Sequence, residues 1–119
     1  MKINIQTLKC DFFDLNNIID VKFDYIIEYT FFCAIKPSNR IKYSKIIYSL
    51  LGKSGLLVAL FLPLKKDIKD GGPPYAVSKA DIENTFSNQF KLIKSFKHPL
   101  SIDARKENEE YFEYKKILV

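Results

Sequence analysis

Seven consecutive apolar residues, Leu56-Leu57-Val58-Ala59-Leu60-Phe61-Leu62, stand between Gly55 and Pro63. The run is far too short to cross a bilayer as a helix. Its unbroken apolar character predicts a central strand of a parallel sheet, covered by other elements on both faces. The rest of the chain must supply those covers. With 119 residues, of which 47% are apolar, there is material for one modest core.

Flanking segments supply candidate neighbours. Ile3, Ile5 and Thr7 alternate with polar residues, which predicts a strand ending near Leu8. Asp24-Tyr25-Ile26-Ile27-Glu28 predicts a short strand whose apolar centre is buried on both faces. Pro37, with Ser38 and Asn39, opens a helix in which Tyr43, Ile46, Ile47, Leu50 and Leu51 recur at spacings of three and four. Gly52 and Gly55 are expected to end it. Ser78, with Asp81 three residues on, predicts an N-capped helix through about Phe86. Strands are expected at Phe90–Phe96 and, arriving antiparallel, at Tyr111–Leu118. Alternating strands and helices argue for an α/β layer structure without linker or internal repeat.

Composition excludes several functions. The net charge of +5 is spread along the chain, and Lys115-Lys116 leads into Ile117, Leu118 and Val119, read as buried. A nucleic-acid surface needs a concentrated basic patch, so nucleic acid is not an expected partner. Neither is a membrane: the start, Met1 to Gln6, is interrupted by polar residues and is no signal peptide. Cys10 and Cys33 have no metal-ligand spacing, and the single His98 lies beside Pro99 in an expected loop. Two buried, reduced thiols in a cytoplasmic protein is the reading these cysteines favour. No G-x-G-x-x-G, phosphate-binding loop or nucleophile elbow occurs. Any chemistry here therefore needs little acid–base help.

Three segments carry more information together. The first is Cys10-Asp11-Phe12-Phe13-Asp14-Leu15. The second runs from Phe23 through Glu28-Tyr29-Thr30-Phe31-Phe32-Cys33-Ala34 to Pro37, and the third is Gly71-Gly72-Pro73-Pro74-Tyr75. In order and spacing they resemble the thiopurine methyltransferase superfamily, and within it the thiol, thiocyanate and halide methyltransferases. Phe90-Lys91, Pro99, Ala104-Arg105-Lys106 and Lys115-Lys116-Ile117 extend the resemblance to the tail. It implies a class I methyltransferase fold, a Rossmann-like sheet of order 3-2-1-4-5-7-6 that binds S-adenosylmethionine at the carboxyl ends of its strands. Residues 1–119 would then be a single incomplete domain, the C-terminal portion, with strands 3 to 7 and without strands 1 and 2.

The same resemblance implies site residues. Asp11 and Phe12 would hold the adenine of the cofactor, and Tyr29 would border cofactor and acceptor. Phe31, Phe32, Tyr75 and Arg105 would face a small-molecule methyl acceptor: a thiol, sulfide, thiocyanate or halide. Methyl transfer to such a soft nucleophile gains from alignment and dehydration rather than from a general base. Simpler readings stand beside these. Asp11 fits a turn-forming role, the phenylalanines fit a core, Gly71–Pro74 fits a tight turn, Glu28 fits a helix cap, and Arg105 fits an exposed ion pair. The glycine-rich turn and ribose-binding carboxylate of the family are not found here, and Leu62 stands where halide-methylating relatives tend to have Tyr. A missing N-terminal half, from another chain or an upstream frame, is one expectation. A non-catalytic remnant acting as a binding or dimerisation module is the other.

Overall fold

The computed structural model describes residues 3–118. Met1, Lys2 and Val119, which entered the reading of the two termini, lie outside the described residues. Four strands, β1 (Phe23–Tyr29), β2 (Leu51–Phe61), β3 (Phe90–Phe96) and β4 (Glu110–Lys116), form one sheet in the order β1-β2-β4-β3. β1 and β2 run parallel, and β4 is antiparallel to both β2 and β3. The helices are α1 (Leu15–Ile18), α2 (Arg40–Leu50) and α3 (Lys79–Phe86). This order matches 4-5-7-6 of the expected Rossmann-like sheet, including its one reversed strand. No helix among the described residues is long and apolar enough to cross a membrane.

The apolar run is central, as its composition requires, but only one face of it is sealed. Leu57, Ala59 and Phe61 of β2 join Phe112 and Tyr114 of β4 in a core closed by α2 and α3 through Tyr43, Ile47, Ile82 and Phe86. Each fully buried aliphatic or aromatic side chain of this kind contributes roughly 1.5–3 kcal/mol relative to exposure. Leu56, Val58 and Leu60 point to the opposite face and are half-buried. On that face Tyr25 and Ile27 of β1 are 64% and 80% exposed. The burial on both faces expected for β1 is therefore corrected. The pleat sends alternate side chains to opposite sides, and the helices lie over one side.

Three other expectations change. Residues 3–9 form no strand and lie exposed. A strand needs a neighbour for its N–H and C=O groups, and among the described residues none runs beside them; the second edge of β1 is likewise unpaired. Gly52 and Gly55 fall inside β2 rather than ending α2, because the helix passes directly into the strand at Leu51. The β1–β2 register jumps there, from Phe23↔Leu51 to Tyr25↔Leu56. Gly55 permits that bulge: a Cβ would stand 2.9 Å from the Leu51 side chain and 3.0 Å from the Phe23 carbonyl. Ile117 and Leu118 are exposed rather than buried, since β4 ends at Lys116. The α3 start is as expected. Ser78 and Asp81 form a reciprocal capping box at 3.0 and 3.1 Å.

Candidate functional site at the exit of β1

The carboxyl end of β1 meets a backbone that turns sharply. Thr30 has φ 66, a region that β-branched residues avoid and that concentrates at functional sites. Its hydroxyl donates to the Tyr29 carbonyl at 2.6 Å, and the Cys33 thiol donates to the Thr30 carbonyl at 3.4 Å. The turn is clamped from below by Glu28, which is 4% exposed. Glu28 accepts from the Phe31 N–H at 3.0 Å and from the Tyr43 hydroxyl at 2.6 Å. Its sequence reading as a satisfied carboxylate capping a helix becomes a buried carboxylate closing a turn.

Electrostatics keep this clamp inert. Burial pushes the Glu28 pKa up, against the lowering effect of the bonds from Tyr43, Phe32 and Phe31. Burial, then the charge of Glu28, pushes Tyr43 well above the usual tyrosine value, so its hydroxyl stays a donor. The Cys33 thiol is also raised, by burial first and Glu28 second. A raised thiol pKa removes Cys33 as a nucleophile. Cys10 is exposed, which corrects the expectation of two buried thiols.

Around the turn the sequence-derived residues separate into two groups. Asp11 accepts from the Phe13 N–H at 2.9 Å, capping the turn Phe12–Asp14, the role its simpler reading gave it. The Asp11 side chain is otherwise exposed. Phe12 packs against Phe31 and Tyr43, with ring centroids 5.0 and 5.3 Å apart. Phe31 stays partly exposed, whereas Phe32 is 1% exposed and wedged among Tyr43, Phe61 and Phe86. Phe32 is thus core, with no free face for an acceptor. Tyr75 is half-buried, and its N–H bonds the Cys33 carbonyl at 2.7 Å. The loop tolerates that packing because Gly72 has no Cβ, which would lie 2.6 Å from the Tyr75 ring.

The second group lies on the other side of Glu28. The Tyr29 hydroxyl accepts from Arg105 at 2.7 Å and donates to Glu109 at 3.0 Å. The Arg105 guanidinium also lies over the Tyr29 ring, 5.4 Å from its centroid. Hydrogen bonding to Tyr29 and the nearby negative charges hold Arg105 above its usual value, so it remains a cation. Tyr29 and Glu109 line a groove of about 380 Å³ with Ile27, Val58, Leu60 and Tyr111. Sequence reasoning missed Glu109. It sits in a run of Glu and Asn residues, where nothing in the composition separates a buried carboxylate from a solvated one. It also missed Arg40, which donates to the Ala76 carbonyl at 3.0 Å and lies over Phe32, tying α2 to the residue that follows Tyr75.

Comparison with solved structures defines the fold first. The fold is that of S-adenosylmethionine-dependent methyltransferases: it superposes on such an enzyme from Methanosarcina mazei with TM-score 0.65 and 11% identity, covering 84% of this chain and 62% of that one. The family follows from sequence. The family model for thiopurine S-methyltransferase matches residues 1–116, and the chain belongs to that family. It is 37% identical over 113 residues to thiocyanate methyltransferase 1 of Brassica oleracea, covering 92% of this chain and 47% of that protein. It is 36% identical over 96 residues to the probable thiol methyltransferase 2 of Arabidopsis thaliana, covering 80% of this chain and 42% of that protein. The chain spans about half the length of the curated relatives it matches.

Proposed function

We propose that this chain is the C-terminal part of an S-adenosylmethionine-dependent methyltransferase acting on a small thiol, sulfide, thiocyanate or halide. The observation that carries the reading is the Tyr29–Arg105 pair at the exit of a parallel strand, beside an apolar groove. Ligands of open α/β sheets bind outside the carboxyl ends of the strands. A guanidinium attracts a soft anion, and apolar walls strip it of water. The adenine side fits in part: the exposed carboxylate of Asp11 suits an exocyclic amine, and the Phe12 main chain beside it suits the ring edge. S-adenosylmethionine supplies the electrophilic methyl group when bound. Tyr29 borders both ligands and Arg105 draws in the acceptor; Phe31 and Tyr75, on the Phe12 side of Glu28, would reach the acceptor only across that turn, and Phe32 supports them from the core. None of these residues abstracts a proton, so a thiol acceptor reacts as its thiolate.

Groups for the ribose and the methionine are not among the residues that converge here. The chain alone is therefore expected to bind S-adenosylmethionine negligibly, and calorimetry showing micromolar affinity would overturn that. Joined to the unmatched part of the Brassica relative, it should methylate bisulfide, thiocyanate or iodide. Absence of every methylated product from that well-folded fusion would sink the enzymatic reading. A second reading, a non-catalytic binding or dimerisation module, is favoured by the unpaired β1 edge and the exposure of Tyr25 and Ile27. A stable symmetric oligomer in sedimentation, without cofactor, is its signature.

A further inference from the structure

Glu109 is a buried carboxylate to which the proposed reaction assigns no task. It is 2% exposed, yet it lines the groove beside Tyr29. The Tyr29 hydroxyl has one proton, and that proton goes to Glu109 at 3.0 Å. The oxygen is then left to accept, and Arg105 fills it at 2.7 Å. A phenol donating to a carboxylate becomes a better acceptor, so the two bonds reinforce each other. Arg105 sits in a turn whose other ties lead elsewhere: Asn108 bonds Leu64 and Lys65 in the loop after β2, at 2.9 and 2.7 Å. Tyr29 is what ties that turn to β1.

We infer that Glu109 is a positioning residue. It fixes the direction of the Tyr29 hydroxyl, and through it holds the Arg105 guanidinium beside the groove with its other N–H donors available to an anionic acceptor. The last clause rests on the methyltransferase reading; the coupling of Glu109 to Arg105 does not.

The test is tryptic scission after Arg105 in the 119-residue chain, with scission after Lys69, in an exposed loop, as internal control. Breaking a hydrogen bond of this strength should raise the open population, and hence scission after Arg105, by about ten-fold in Tyr29→Phe and in Glu109→Leu. Glu109→Gln, which keeps a carbonyl acceptor, should restore most of the protection. In the Tyr29→Phe background Glu109→Leu should change nothing further, because the coupling has already been cut. Additive effects of the two changes would overturn the inference, as would unchanged scission in Glu109→Leu. If Glu109→Leu speeds scission after Lys69 equally, the chain has unfolded, and Glu109→Asp, whose shorter side chain withdraws from the Tyr29 hydroxyl, takes its place in the same comparison. Thiocyanate serves as the anionic probe and should slow scission after Arg105 in the wild type. Loss of that protection with the coupling intact supports the role of Glu109 and counts against the acceptor reading.

Discussion

On one face of β2, Leu57, Ala59 and Phe61 are sealed under α2 and α3, while on the other Leu56, Val58 and Leu60 are half-open. Both faces of the strand are apolar, but they have different company. The sealed face carries a connected set of rings, with Phe86 in contact with Phe32, Phe61, Phe90 and Tyr114. The open face carries exposed Tyr25 and Ile27 beside a free strand edge. Such a surface is rare on a soluble monomer and marks an interaction site or a missing cover. What the contrast teaches is that the stability of this chain comes from one layer of packing, while the groove side is poised to take more.

The largest test of that contrast is Phe86→Ala, at the centre of the sealed face. It should cost about 3–5 kcal/mol in urea unfolding. Since a domain of this size has about 5–15 kcal/mol in total, the variant should be barely folded. A cost under about 1 kcal/mol would mean that the sealed layer is loose.

Next is Tyr43→Phe, which removes a hydrogen bond from buried Glu28 and should cost about 1–3 kcal/mol. Its companion is a pH series. Burial raises the folded-state pKa of Glu28 above the ordinary 4.5, so the folded chain holds that proton more tightly than the unfolded one. The associated stability is therefore fully present below about pH 4.5 and is lost as pH rises through the folded value. Glu28→Gln should flatten this loss in urea midpoints measured between pH 4 and 7, to about ±0.5 units at each end. An unchanged slope would show that the carboxylate does not titrate in this window.

Smaller still is Ser78→Ala, which breaks the capping box and should cost about 1 kcal/mol by the same unfolding measurement. The smallest effect is expected on the open face. Ile27→Ala should change stability by no more than about 0.5 kcal/mol, as for any exposed site. A loss of 2 kcal/mol or more would reveal that this face is covered in solution, by a second copy of the chain.

Much of the sheet was legible locally. The capping signal at Ser78, the helix period through Tyr43, Ile47 and Leu50, and the strands at β3 and β4 all follow from short-range rules that the structure obeys. The misreadings share a cause. Ile3–Leu8 alternates like a strand, but alternation says nothing about whether another strand is there to pair with it. Gly52 and Gly55 read as a helix stop, yet they serve a bulge whose need arises from the approach of Phe23, far away in sequence. At the site, Tyr29 and Arg105 could be named from their motifs. Their direct contact through one hydroxyl could not, because 76 residues separate them.

By itself the sequence determined the layer class, the position of the apolar strand and its family, because periodicity, caps and ordered motifs are properties of neighbouring residues. Only the tertiary structure decided which face of that strand is sealed and which is open. It also decided that Phe32 is core while Phe31 is partly exposed, and that Glu109 is buried under Tyr29. Burial and pairing depend on which distant segments arrive, and a local pattern records only the readiness to be covered.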